Sequence, residues 1–191
     1  MLDLEIRGAG NLLGKEQHGH MLSVGFDLYC KILEEEVKKL ESDSDEAVAE
    51  TVALDLNVDG YIPSAYIDSE VLKIEIYKKL ADVENKEDLL KLIEEVTLRF
   101  GPVPEVLENL FLLANIRVLA KASNLKGIKK EGGAFIIALR DGYYSLEVLQ
   151  KLRNKFKGKV SFGDGSIILR VESKLYLLEH FLKELSSFIV N

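Results

Sequence analysis

Three glycines crowd the opening of this chain, in the run Arg7-Gly8-Ala9-Gly10-Asn11-Leu12-Leu13-Gly14-Lys15-Glu16-Gln17. Backbone amides of a glycine-rich loop ahead of a helix can cradle phosphates, so nucleotide binding is the first chemistry to weigh. The spacing defeats it. A phosphate loop closes on Gly-Lys and a hydroxyl residue that reaches magnesium, whereas Gly14-Lys15 is followed by Glu16, which repels phosphate. Ala9 stands where the first glycine of that loop belongs. The dinucleotide pattern fails as well, because Gly8 and Gly10 are followed by Leu12 and Leu13, with Gly14 one place late.

Other chemistry-bearing residues are equally reticent. Cys30 is the single cysteine and has no partner for an intramolecular disulfide; its helical spacing with Phe26 and Leu33 predicts a buried thiol rather than a nucleophile. His18 and His20 flank a glycine without nearby cysteines, and His180 belongs to an amphipathic segment, so no metal site is predicted. No nucleophile, base and orienting group can be assembled from spacing, and Glu94 and Glu95 read as ordinary helix surface. The expectation is a chain with no catalytic residues and no cofactor of its own.

A net charge of −7 disfavours nucleic-acid binding through overall attraction. The charge is uneven, however. Glu34 to Glu50 is strongly acidic and reads as a helix end and linker, while Lys126 to Lys159 is basic. Lys126, Lys129, Lys130, Lys151, Arg153 and Lys155 are the candidate basic face. Solvated lysines on an exposed helix and hairpin account for the same pattern, since no aromatic residues interleave to stack bases.

These residues must be carried by regular elements. Phe26, Tyr29, Cys30, Leu33, Val37 and Leu40 recur at three- and four-residue steps, predicting a helix over about 22–41. An acidic linker, Ser42-Asp43-Ser44-Asp45, follows, and 51–58 then alternates like a strand before Asp59-Gly60. Asp68 is the expected cap of a helix whose Val71, Ile74, Tyr77 and Leu80 share one side. Asn85 should cap a further helix over 86–100. Gly101-Pro102-Val103-Pro104 then breaks the chain between two antiparallel helices, the second of which, 104–122, is apolar enough to be the core helix. Beyond Asn124 two hairpins, turning at Gly132-Gly133 and Gly163-Asp164-Gly165, alternate with helices near 145–156 and 174–189. The fold class that follows is α+β: a helical arm and helices, then a four-stranded antiparallel sheet of two hairpins with both helices on one face. With 47% apolar residues and no apolar run of roughly 18 residues, the chain reads as a cytoplasmic module without a membrane span.

Asp3 to Gly14, continued through Glu16-Gln17-His18-Gly19 and Val24-Gly25-Phe26-Asp27-Leu28-Tyr29, resembles the segment after the second motor domain in bacterial transcription-repair coupling factors, a version of which RecG-type helicases share. Tyr77-Lys78-Lys79-Leu80, Arg99-Phe100-Gly101-Pro102 and the order of elements resemble the carboxy-terminal part of that family. The resemblance implies that 1–43 is the end of the translocation motif with a connecting helix, and that 44–191 is a carboxy-terminal regulatory domain. The motif residues are Arg7, Gly8, Gly10 and Gln17: Arg7 and Gln17 match polar residues implicated in coupling ATP hydrolysis to movement along double-stranded DNA, and the glycines would let the loop change shape. ATP and Mg would bind in a motor that this chain lacks, since it has no phosphate loop, Walker-type aspartate or arginine-bearing motor motif. The resemblance further implies docking on the UvrB-like amino-terminal module of the same protein, masking of UvrA recruitment, and engagement of RNA polymerase by the whole factor. Leu4, Ile6, Leu12, Leu13 and Met21, separated from a motor, are expected to find cover, for instance in a dimer of the isolated piece.

Overall fold

The computed structural model describes residues 52–140, 144–172 and 174–189. The arm 1–43, its boundary with the following domain, the acidic stretch, Cys30 and the motif residues Arg7, Gly8, Gly10 and Gln17 lie outside the described residues.

The chain enters through the short strand β1 (Ala53–Asp55), and three helices follow: α1 (Glu70–Ala81), α2 (Lys86–Phe100) and α3 (Glu105–Ala122). The N-cap of α1 is Ser69, whose hydroxyl accepts from Leu72 N–H, and not Asp68. Its buried face is also rotated from the expected one. Lys73, Ile76, Tyr77, Leu80 and Ala81 turn inward, while Val71 and Ile74 are exposed. Tyr77 sets that rotation, because its hydroxyl oxygen accepts the buried Ile62 N–H at 3.0 Å. Lys73 adds to it by donating to Ser64 Oγ and Glu70 Oε1, each at 2.7 Å. Asn85 caps α2 as its spacing predicts, accepting from Asp88 N–H. Gly101 ends α2 at a φ of +90°, a region closed to most side chains, and Pro104 caps α3.

Beyond α3 run β2 (Leu125–Glu131), β3 (Ala134–Leu139), α4 (Leu146–Lys155), β4 (Val160–Gly163), β5 (Ser166–Leu169) and α5 (Leu175–Ile189). The two hairpins pair through β3 and β5 into the expected antiparallel sheet. The sheet has one strand more than expected: β1 lies parallel to β2, giving the order β1-β2-β3-β5-β4. Local alternation marks 51–58 as a strand but carries no information about a partner some seventy residues on. Gly127 makes that pairing sterically feasible, since a Cβ there would stand 2.9 Å from the Ala53 carbonyl oxygen.

Two apolar clusters result. In the first, Phe135, Ile137, Ile167 and Leu169 of the sheet pack beneath α4, α5 and the later half of α3. The second joins α1, α2 and the earlier half of α3. Helix α3 therefore serves both, with Leu113 and Ile116 in one cluster and Leu107, Leu110 and Phe111 in the other. Full burial of each such side chain contributes about 1.5–3 kcal/mol, so this helix ties the two halves together.

Candidate docking surface

Helices α1 and α2 carry an ordered group of charges on their outer side. Lys79 of α1 donates to Glu95 of α2 at 2.7 Å (Oε1) and 3.1 Å (Oε2), and Arg99 Nη1 reaches the same Oε1 at 3.0 Å. Glu75 completes the group, 3.3 Å from Lys79 Nζ. Glu75 to Lys79 and Glu95 to Arg99 are both four-residue steps with the acid nearer the helix N-terminus, the favourable order on a helix surface. Hydrogen bonds from Lys79, with Arg99 adding to them against a modest burial penalty, hold the Glu95 carboxyl below its ordinary range. The same bond to Glu95, helped by one to Glu75, holds the Lys79 ammonium above its own. Both groups are therefore charged across the neutral range.

Aromatic packing stiffens one end of this network. The Arg99 guanidinium lies 5.1 Å from the Phe100 ring centroid, Phe100 tilts against Tyr66 at 6.1 Å, and the Tyr66 hydroxyl donates to the Gly101 carbonyl at 2.7 Å. Around the charges sit large apolar side chains left in solvent. Leu98, three residues after Glu95, is 80% exposed, and Val71, one turn before Glu75, is 76% exposed. Such a surface holds no acid, base and nucleophile in register. It offers fixed charges beside an uncovered apolar contact, the ingredients of protein recognition.

The six candidate basic residues are carried by two elements. Lys126, Lys129 and Lys130 lie on β2, whereas Lys151, Arg153 and Lys155 lie on α4, which packs on α5 and β4 across the sheet. Three of them meet carboxylates: Lys129 with Glu131 at 3.1 Å, Lys151 with Glu147 at 2.8 Å and Lys155 with Glu184 at 2.5 Å. His180 stands edge-on to Phe156, with centroids 6.0 Å apart. Among the described residues no three His, Cys, Asp or Glu side chains group as metal ligands. None of their helices is long and apolar enough to cross a membrane. Glu95, read from the sequence as helix surface, proves to be the hub of the charged group. The usable signal was the pair of family-like neighbourhoods around Lys79 and Arg99, whose meeting across two helices no local pattern reveals.

Residues 56–145 match the family model for the TRCF domain. A transcription-repair-coupling factor of Staphylococcus haemolyticus is 45% identical over 140 residues, covering 73% of this chain and 12% of that protein. One from Borreliella burgdorferi is 39% identical over 145 residues, covering 74% and 12%. A solved structure described as the C-terminal domain of transcription-repair coupling factor shares the fold, with a TM-score of 0.60 at 21% identity over 72% of this chain and 95% of that one. The matched stretch is thus about an eighth of each curated relative's length, at 12%. Through its TRCF domain, the chain belongs to the transcription-repair coupling factor family.

Proposed function

We propose that this domain is a non-catalytic regulatory unit of a DNA translocase in transcription-coupled repair. It docks through the α1–α2 surface on the UvrB-like amino-terminal module of the same protein and masks recruitment of UvrA. Engagement of RNA polymerase and movement on DNA, driven by ATP and Mg in the motor, would release it in the cytoplasm. The carrying observation is Leu98, 80% exposed beside the Glu95 ion-pair network that joins the two helices. Fixed charges set register and suppress wrong partners, while a central apolar anchor supplies affinity. Reversible masking then needs only two arrangements of one interface, biased by the motor. Within this reading, Arg7, Gly8, Gly10 and Gln17 belong to the motif that couples ATP hydrolysis to translocation.

A titration of the 191-residue chain against the separately produced amino-terminal module tests the docking, with duplex DNA run in parallel at low and moderate salt. Saturable binding to the module, weakened at least tenfold by Leu98→Asp, is expected. Salt-sensitive DNA binding without module binding would overturn the proposal and move the function to Lys126, Lys129, Lys130, Lys151, Arg153 and Lys155.

A further inference from the structure

Between the sheet and α1 the chain crosses from one core to the other. Val52 and Leu56, on either side of β1, are buried in the sheet cluster, whereas Ile62 and Ile67 are buried in the cluster of α1, α2 and the earlier half of α3. Residues 52–67 therefore strap the two clusters together, passing over α3 on the way. At that crossing Gly60 presses on α3 so closely that a Cβ would stand 3.1 Å from the Leu110 backbone, and the Asn109 side-chain amide donates to the Asp59 carbonyl at 3.2 Å.

Little regular structure fixes this strap. β1 contributes three residues, paired with β2 along one side only, at the edge of the sheet. Just past it, Asn57 has a φ of +52°, a left-handed conformation that a residue with a side chain keeps only while both flanks hold it. Leu56 in the sheet cluster is one flank, and Gly60 against α3 is the other. Beyond the crossing, Ile62 N–H donates to the Tyr77 hydroxyl and Ser64 Oγ takes the Lys73 ammonium, both of them bonds to side chains. A segment held by buried anchors and side-chain bonds rather than by a ladder lies at the low end of local stability and opens as a unit.

The two ends of the strap face different parts of the protein. Residues 1–51 enter the domain at Val52. At the far end the Tyr66 hydroxyl donates to the Gly101 carbonyl, the Tyr66 ring tilts against Phe100, and Phe100 carries the Arg99 guanidinium that holds Glu95. We propose that residues 52–67 are a release strap. Detaching β1 from β2 lets Asn57 relax, draws 58–60 off α3 and frees Ile62 and Tyr66, so the Arg99–Glu95 end of the α1–α2 surface loses its support. A pull on the chain ahead of Val52 then unmakes that surface without touching it. The consequence for docking rests on the function proposed above, whereas the coupling of β1 to Ile62 belongs to the domain alone.

Ala53→Cys/Gly127→Cys, made in the 191-residue chain together with Cys30→Ser, tests both directions in one protein. A Cβ at position 127 would lie 3.2 Å from the Ala53 Cβ, near the roughly 3.8 Å of a disulfide, so oxidation clamps β1 to β2. In the reduced form the same Cβ lies 2.9 Å from the Ala53 carbonyl oxygen and forces β1 away. Native-state hydrogen exchange should show the Ile62 and Ile67 amides exchanging at least tenfold faster in the reduced form than in the oxidised one, in step with β1, while the amides of Leu89 to Val96 in α2 change less than twofold. Affinity for the amino-terminal module should fall at least fivefold on reduction. Gly127→Ala against wild type makes the same comparison if the disulfide does not form. Faster exchange in β1 with Ile62 and Ile67 unmoved, or an equal change in all of these amides, would overturn the strap. Docking that ignores the redox state while Ile62 responds would overturn its regulatory role. Absence of docking in every form would overturn the docking reading, with the exchange comparison still deciding the strap.

Discussion

Removing the guanidinium of Arg117 while keeping its aliphatic stem, by Arg117→Met, should loosen one end of α1 and lower the stability of the whole domain. Arg117 sits on α3, and its Nη2 donates to the Ala81 and Val83 carbonyls at 2.9 Å each and to the Leu80 carbonyl at 3.3 Å. These acceptors are the last carbonyls of α1 and the turn beyond it, where a helix has no partners of its own and its dipole favours a cation. Hydrogen bonds to charged groups contribute about 1.5–3 kcal/mol each. Two short bonds and one long one from a half-buried side chain, with water replacing part of the loss, give a destabilisation of about 2–4 kcal/mol. For a unit the length of Val52 to Ile189, roughly 3 °C of melting temperature follows each kcal/mol, so thermal unfolding should fall by about 6–12 °C. Arg117→Lys should recover only part of this, because an ammonium lacks the planar fork that reaches several carbonyls at once. Hydrogen exchange would place the effect, with the amides of Leu80 to Val83 losing the most protection beyond the global change. A melting temperature within about 2 °C of wild type for Arg117→Met would refute the reasoning, since it would put the three bonds together below one ordinary hydrogen bond.

Other expectations concern single features of the fold. Glu95 is held ionised by Lys79, so its contribution is present above the ordinary carboxylate range and is lost as pH falls through its lowered value. Wild type should therefore exceed Glu95→Gln by up to about 1 kcal/mol near pH 6, with the gap closing as pH falls below the ordinary carboxylate range in denaturant titrations, and a pH-independent gap would contradict this. Gly60→Ala should destabilise by about 1–3 kcal/mol in the same assay, because the new methyl would sit 3.1 Å from the Leu110 backbone of α3. Lys73→Met should be within about 1 kcal/mol of wild type, since among the described residues the buried ammonium meets only Ser64 and an exposed Glu70, and a large loss would show that this contact matters more than its geometry suggests. Tyr144→Phe should lose about 1 kcal/mol, as the buried hydroxyl donates to the Ser123 carbonyl.

Local signals carried much of the architecture into view. Asn85, Gly101, Pro104, Gly132-Gly133 and Asp164-Gly165 each mark an element boundary through chemistry that acts within a few residues, and each boundary lies where that chemistry puts it. What local pattern missed was set by distant partners. The rotation of α1 depends on Tyr77 meeting the loop at Ile62, not on the spacing of its apolar residues, and Val71 and Ile74 mislead because they are apolar yet exposed. The pairing of β1 with β2 depends on a glycine more than seventy residues away. The candidate docking surface was half legible. The stretches around Lys79 and Arg99 stood out by resemblance, but Glu95, which joins them, looks like any solvated acid until α1 and α2 are packed. The basic residues are consecutive along the chain but divided between β2 and α4, and three of the six meet neighbouring carboxylates.

Masking of UvrA recruitment is the central claim, and UvrA binding to the full-length factor bearing this domain measures it most directly, comparing wild type with Leu98→Asp. Leu98 is 80% exposed, so the substitution leaves the core untouched. The account predicts weak UvrA binding by wild type and at least tenfold tighter binding by the variant, with thermal unfolding unchanged; equal affinity for the two would contradict docking through this surface.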